Sequence, residues 1–333
     1  MSPTASPRRP GACWATCGAV PACTRRPPRS SPTTSVASRL PSRWTRTRRS
    51  TSGTSSTARA RRSTSATGRA SDPAKLTYSD YVTLQHDRET YLDLLIDHHE
   101  ASGSVAELDP AWVSTLTTLL VPLRFPLHVL QMNALYVGQM APSAFIINCA
   151  HFQAADEMRR IQRLAYLTKM LANGHGDEIA TTSAARDPWQ SGAPWQPLRE
   201  ISERMLGVYD WGEAFVLLNL VLKPSLDSVV NDSLASLAVA NGDEFLALLL
   251  AEFQRESGRS QAWTAALVTY ALEQDPALAD VVRGWVDAWA PLADAAVAGL
   301  SELFATAPVA GDPGAVRDTA TKAREALLAA SGL

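Results

Sequence analysis

The feature that most constrains the fold of this chain is the length of its helical patterns. From Lys75 to the carboxyl end, apolar residues recur about every 3.6 positions, and no segment alternates with the two-residue period of a strand. The pattern predicts helices of about thirty residues, one from Ala111 towards Met140 and one from Pro142 to about Asn173. Helices of this length pack side by side in long bundles, so the sequence predicts an all-α protein.

The second half of the chain is predicted to be a series of shorter helices. Proline- and tryptophan-rich residues 185–200, ARDPWQSGAPWQPLRE, are typical of a loop. The further helices are expected at about residues 225–240, 242–256, 260–273, 276–289, 292–304 and 314–330.

Charge divides the chain at Ser71–Asp72. Residues 1–71 contain fourteen arginines and no lysine, aspartate or glutamate. Residues 72–333 therefore contain the other 17 of the 31 basic residues and all 33 acidic residues, so that this region is strongly acidic. So acidic a region argues against nucleic-acid binding. We expect a basic segment over 1–71, a folded domain over 72–310 and a helical tail over 311–333.

Three interpretations remain open for residues 1–71. The segment is rich in Ser, Thr, Arg and Pro and has no apolar periodicity, so it offers too little apolar surface to offset the entropy of ordering. It fits a disordered basic tail, and it also fits a transit peptide, which is rich in Arg and Ser and poor in acid. The third interpretation, which we favour, is GC-rich DNA translated outside its native frame.

Neither the apolar segments nor the cysteines indicate a membrane or an oxidising compartment. The uncharged region from Phe125 to Ala155 contains Pro126, Pro142 and several polar residues, which is typical of a buried helix with a break. Three of the four cysteines lie in the basic segment, and Cys149 lies in an apolar run. This usage predicts a protein of the reducing cytoplasm.

Long helical bundles often hold a di-iron site, and this sequence lacks its ligand pattern. Such a site takes a glutamate from each of two helices and Glu-x-x-His from each of two others, because residues three apart share a helix face. No glutamate here is followed by a histidine at the third position, and the nearest pattern is Glu157-Met-Arg-Arg160. The region from Ala111 to Ala155 contains no acidic residue. An arginine does not ligate a metal, because it stays protonated.

Arg160 is expected to be buried and paired. It lies in an apolar stretch of helix, and a buried guanidinium needs a carboxylate partner. The candidates are Glu157, one turn away, and Glu213, which lies in the apolar run DWGEAFVLLN. A catalytic alternative would use an unusual ligand set of Glu157, Glu213, His128 and His151, although a hydrogen-bonded core histidine is the ordinary interpretation of the last two.

Several long stretches resemble one known family. LTYSDYVTLQ, LVPLRFPLHVLQM, FQAADEMRRIQRLAYLTKML and DWGEAFVLLNLVLKP are similar to the β subunit of the hydroxylase of bacterial multicomponent monooxygenases, nearest to the toluene, benzene and alkene or isoprene branch. The resemblance covers about residues 72–310. It implies a ferritin-like bundle of long helices with additional helices at the carboxyl end.

The resemblance also implies a function and a set of partners. In this family the α subunit holds the di-iron centre and inserts oxygen into a hydrocarbon, while β is a structural relative of α in a dimer of αβγ units. An NAD(P)H- and FAD-dependent reductase, a Rieske-type Fe–S ferredoxin and a coupling protein complete the system. The chain is thus expected to have no catalytic or cofactor-binding residue of its own.

The degenerate ligand positions follow from the same resemblance. Asp-Glu-x-x-His of the iron-binding relatives corresponds to the stretch that contains Glu157 and Arg160, and Glu213 matches the glutamate of the later half-site. Asp232 and Ala235 stand at the two positions of the second Glu-x-x-His.

Two other expectations concern the role of the chain. Besides the scaffold and the catalytic oxidase, the sequence allows a stand-alone helical binding module. Trp189 and Trp195 flank the predicted loop and are expected to contact partner subunits.

Overall fold

The fold is a bundle of helices, as the sequence predicts. A computed structural model describes residue 70 and residues 72–333, so the interpretations of residues 1–69 and 71 lie outside the described part. No strand occurs among the residues it describes. The helices, in chain order, are α1 (Tyr78–Ser102), α2 (Pro110–Leu119), α3 (Arg124–Met140), α4 (Ala144–His175), α5 (Thr182–Ser191), α6 (Gln196–Met205), α7 (Trp211–Val216), α8 (Lys223–Asp227), α9 (Leu234–Ala240), α10 (Glu244–Gln274), α11 (Leu278–Phe304) and α12 (Pro313–Ala330).

Local chemistry sets the ends of the long helices. Thr77 and Asp80 form a capping box at the start of α1, and the side chain of Asp109 caps α2 one residue before Pro110. Helix α4 ends at His175 because Gly176 takes a φ of 129°, a value that L side chains rarely adopt.

Three of the predicted boundaries are wrong. Helix α10 is continuous where two helices were expected, since Gly258 in its interior costs only about 1 kcal/mol and buried Phe253 and Trp263 hold the helix on either side. Helix α11 likewise continues through Pro291, with buried residues on both sides of the proline. Residues 185–200 are largely helical, in α5 and α6, rather than a loop.

A central helix runs over residues 211–240, and its middle part is buried on all sides. Every residue from 214 to 231 is buried, so this helix lies inside the bundle. It contains two π turns, Leu217–Leu222 and Ser228–Ser233, which separate α7, α8 and α9. Helices α10, α11 and α12 pack against it, α3 packs along α4, and α11 packs along α6.

The last helix packs on the bundle. Helix α12 buries Val316, Ala320 and Leu327, and the guanidinium of Arg324 lies 2.6 Å from a carboxylate oxygen of Asp294 on α11. Its division from the folded domain near residue 311 stays a prediction.

Among the residues that the structure describes, one helical stretch, Pro110–Met140, is long and apolar enough by length and composition to cross a membrane. Of its most apolar window, 67% is buried inside the chain, as in the core helices of soluble proteins.

Candidate functional site

The site lies where the central helix crosses α4 and α10. Asp210 starts the central helix by accepting hydrogen bonds from the backbone N–H groups of Gly212 and Glu213. Pro224 has no N–H to donate, and the π turn directly before it rearranges the backbone hydrogen bonds, so that Lys223 N–H donates to Leu218 O, five residues back. The irregular backbone presents Lys223 and Asp227 to α4.

Two cations and two carboxylates meet at this crossing. We call Glu157, Arg160, Lys223 and Asp227 the inner cluster. Arg160 Nη1 lies 2.7 Å from Asp227 Oδ1 and 3.6 Å from Glu157 Oε2. Lys223 Nζ lies 2.8 Å from Asp227 Oδ2 and also donates to Glu157 Oε1, so the ammonium bridges the two carboxylates. All four side chains are at most 7% exposed.

Neighbouring amide and hydroxyl groups complete the inner cluster. Arg160 Nη2 donates to Asn231 Oδ1 over 2.8 Å, and Ser257 Oγ on α10 donates to Asp227 Oδ2 over 2.6 Å. Asn231 Nδ2 in turn donates to Ser257 Oγ. These bonds tie α4, the central helix and α10 together, so the cluster is a three-helix junction.

The charges of the inner cluster stabilise one another. Burial alone would lower the pKa values of Arg160 and Lys223, but Asp227 and Glu157 outweigh it and raise both pKa values. Burial alone would raise the pKa of Asp227, but Lys223 and Arg160 outweigh it and lower that pKa to about 2. The two cations and Asp227 therefore stay charged at neutral pH.

The inner cluster does not fit a metal ion. Its cations already neutralise its carboxylates, and neither a guanidinium nor a protonated ammonium has a lone pair for a metal. Over residues 72–333 no group of three or more His, Cys, Asp or Glu side chains is placed to hold a metal. The chemistry of this arrangement is ion pairing between helices.

A second network joins α1 to α4 and α10. We call its ion pairs the outer ladder: Arg159 with Glu89 and Glu256, Arg163 with Glu89 and Asp93, Arg88 with Glu256, and Asp156 with Arg259. Gln85 bridges two of its members, since its amide donates to Asp156 Oδ1 and Glu256 Oε1.

One carboxyl group of the outer ladder, that of Asp156, has a pKa shifted towards neutral pH. Burial and the nearby Glu256 raise its pKa to about 7, although Arg259 and the hydroxyl of Tyr81 oppose the shift. Tyr81 donates to Asp156 Oδ1 over 2.8 Å, and burial together with this carboxylate raises the pKa of Tyr81.

The expected partner of Arg160 is only partly right. Glu157 lies within ion-pair distance, but Arg160 bonds chiefly to Asp227, which the sequence analysis did not single out. Pairing with Glu213 is wrong, because Glu213 lies on the first turn of the central helix and accepts a hydrogen bond from Trp289 Nε1 over 3.0 Å. A signal was present in the sequence: Lys223 and Asp227 are the only charged residues between Glu213 and Asp232.

The other ligand candidates lie apart from the inner cluster. Asp232 is exposed, 3.4 Å from the amide nitrogen of Gln254, and Ala235 is half-buried. Their match to ligand positions stays a prediction. His128 and His151 are exposed rather than in the core, whereas Glu157 is buried.

Both tryptophans singled out for partner contacts are core residues of this chain. Trp189 is 8% exposed and stacks on Phe125, and Trp195 is 1% exposed and donates through Nε1 to Thr118 O. They are buried because residues 185–200 fold as helices against α2 and α3. A contact of either ring with a partner stays a prediction.

Long helices packed around a buried central helix define the class of the fold: a ferritin-like bundle of the kind found in hydroxylase subunits. The family model for the methane/phenol/alkene hydroxylases matches residues 44–275. The chain belongs to this family.

Individual relatives agree with the family model. The chain is 38% identical over 234 residues to the β subunit of the hydroxylase component of the toluene-4-monooxygenase system of Ectopseudomonas mendocina, with 70% of this chain and 71% of the relative covered. It is 36% identical to a chain in a structure of toluene 4-monooxygenase with toluene in the resting active site. The two structures match with a TM-score of 0.68, and the match covers 70% of this chain and 76% of that one. A crystal structure of xenon-pressurised phenol hydroxylase from Pseudomonas sp. OX1, 23% identical, matches in fold with a TM-score of 0.70 over 80% of this chain and 77% of that one.

Proposed function

We propose that this chain is the structural, non-catalytic β subunit of an aromatic or alkene monooxygenase hydroxylase. The observation that carries the proposal is the inner cluster: Arg160 and Lys223 neutralise Glu157 and Asp227 at the position where the resemblance places the Asp-Glu-x-x-His motif of the iron-binding α subunit. The similarity to a toluene-4-monooxygenase β subunit supports the assignment to the aromatic branch.

In this role the chain holds helices in place for a catalytic partner. The di-iron centre belongs to the α subunit, and a γ subunit and a second β subunit complete the hydroxylase. A coupling protein, an Fe–S ferredoxin and an NAD(P)H- and FAD-dependent reductase serve the same system, which works in the cytoplasm. This chain contributes rigid helix surfaces and no residue that touches substrate.

The two alternatives have less support. A catalytic oxidase would have to use His128 and His151, both exposed, together with buried Glu157. A stand-alone binding module would need a buried cavity for its ligand. The larger clefts, of about 330–420 Å³, lie open at the surface beside α10 and α12. The more enclosed cavities, at the inner cluster and beside Asp72, measure only about 10 and 20 Å³. Such volumes hold about one water molecule.

The proposal is tested by iron content and assembly. We expect the chain, co-expressed with neighbouring genes that encode a Glu-x-x-His α chain and a γ chain, to form a complex whose iron is bound by α. Iron is measured by mass spectrometry of the complex and of each separated chain. A stoichiometric metal pair that reacts with dioxygen in the isolated chain would contradict the proposal.

A further inference from the structure

Helix α1 has charged and amide side chains on its inner face and large apolar side chains on its outer face. A helix on a protein surface ordinarily buries its apolar stripe and exposes its charges. The inner face of α1 instead takes part in the outer ladder, and only Tyr81, Leu92 and Ile96 of its apolar side chains are buried. Charged and amide groups therefore supply much of the contact between α1 and the bundle.

Large apolar side chains of α1 face outward instead. Leu94 is 65% exposed and Tyr91 is 44% exposed, while Leu84 is half-buried. Leu84, Asp87, Tyr91, Leu94 and His98 follow one another at intervals of three, four, three and four residues. This spacing aligns side chains along one side of a helix. We call Leu84, Asp87, Tyr91, Leu94 and His98 the outer seam.

The charge beside the outer seam restricts what can cover it. Of the charged residues of α1, Arg88, Glu89 and Asp93 ion-pair inward in the outer ladder, whereas Asp80 and Asp87 lie along the outer seam and are exposed. A second copy packed through the same seam would bring acidic residues opposite acidic residues, because a two-fold interface pairs a patch with itself. Like charges across an interface disfavour that pairing.

From these observations we infer that the outer seam of α1 docks a helix of a different hydroxylase subunit, one with apolar side chains at alternating spacings of three and four residues and with Lys or Arg beside them. The inference rests on the proposed function, since the partner is a subunit of the same hydroxylase. Leu94 and Tyr91 supply the apolar contact, and Asp80 and Asp87 attract the basic flanks.

The experiment uses the whole complex, co-expressed with a tag on the catalytic subunit. We expect Leu94→Asp to lower the amount of this chain recovered with the tagged subunit about tenfold or more, as for a central interface residue. The matched control is Leu248→Asp on α10, since Leu248 is also exposed, at 43%. We expect this control to assemble like the wild type.

A second variant tests the charge. Asp87→Lys should slow association and reduce its sensitivity to salt, because attraction between exposed charges is screened within about 10 Å at 0.1 M ionic strength. Circular dichroism and the unfolding temperature of the free Leu94→Asp chain should match those of the wild type, so lost assembly would not reflect lost folding.

The outcomes separate this inference from the proposed function. If the wild-type chain assembles and Leu94→Asp assembles equally well, the inference is wrong and the proposed function stands. If Leu94→Asp abolishes self-association of the free chain, a second copy occupies the seam and the inference is also wrong. A wild-type chain that binds no hydroxylase subunit overturns both.

Discussion

At the scale of single residues, the inner cluster stabilises the fold only while its charges are complete. Removing one partner of a buried ion pair leaves a buried charge without compensation, which typically costs about 3–5 kcal/mol. Replacing both partners by apolar residues of similar size costs much less, and in some proteins stabilises them. The four residues of the inner cluster should therefore behave as one unit in mutagenesis.

The first prediction concerns Arg160. We expect Arg160→Met to lower the free energy of unfolding by about 3–5 kcal/mol, because Asp227 and Glu157 would then share only Lys223. Chemical denaturation monitored by circular dichroism measures the change. The control, Arg204→Met, breaks an exposed pair with Glu200 and should cost at most about 1 kcal/mol. Equal losses in the two variants would contradict the prediction.

The second prediction concerns the pH dependence that Asp156 imparts. Its pKa of about 7 in the folded chain lies above the ordinary value of 3.8, so the folded state holds this proton more tightly than the unfolded state. The contribution of Asp156 to stability is therefore greatest below about pH 4 and falls as the pH rises to about 7.

The measurement compares the wild type with Asp156→Asn. The free energy of unfolding of the wild type minus that of the variant should decrease from pH 4 to pH 7 and level off above it. Denaturation at intervals of half a pH unit gives this difference directly. A flat difference, or one that grows with pH, would show that Asp156 keeps an ordinary or lowered pKa.

At the scale of elements, substitutions at two glycines of α11 test how closely this helix packs against its neighbours. A Cβ added at Gly284 would meet nothing within 4 Å, whereas one added at Gly299 would lie 2.4 Å from Pro194 O. The backbone oxygen of Pro194 cannot move away by rotation about a side-chain bond, as an atom of a flexible side chain can. The two positions share a helix and differ in their surroundings.

We predict opposite effects of the same substitution at these positions. Gly284→Ala should raise stability by about 0.5–1 kcal/mol, because alanine favours the helix and loses less backbone freedom on folding. Gly299→Ala should lower stability by about 1–3 kcal/mol, because the contact between α11 and residues 193–195 would have to open. Thermal unfolding of the two variants measures both effects. A stabilising Gly299→Ala would mean that the helices are farther apart.

The sequence predicts the elements better than their ends and contacts. The 3.6-residue period indicates an all-α chain because each long helix buries one face. The helices expected to begin at Ala111 and to end near Asn173 do so within two residues, at Pro110 and His175. The breaks expected at residues 257–259 and 290–291 do not occur, because packing on both sides outweighs the local cost of Gly258 and Pro291. The sequence marks Lys223 and Asp227 as isolated charges in an apolar run, but it does not show that Asp227 meets Arg160, since that contact depends on two π turns in another helix.

At the scale of the whole molecule, the start of the folded domain is open to test. The change in composition predicts a boundary at residue 72, whereas the family model matches from residue 44. We expect a chain that begins at Asp72 to keep the helical content and unfolding temperature of a chain that begins at Trp44. Circular dichroism of the two shortened chains measures this. A lower unfolding temperature for the shorter chain would place residues 44–71 in the domain.

The inner cluster and the outer ladder contain equal numbers of positive and negative side chains. At the buried positions among these, a change of one charged residue without its partner would give a poorly folded ancestor. Residues 160 and 227, and likewise 156 and 259, should therefore have changed together during descent. Among homologues, each of these pairs should vary jointly and retain a net charge of zero.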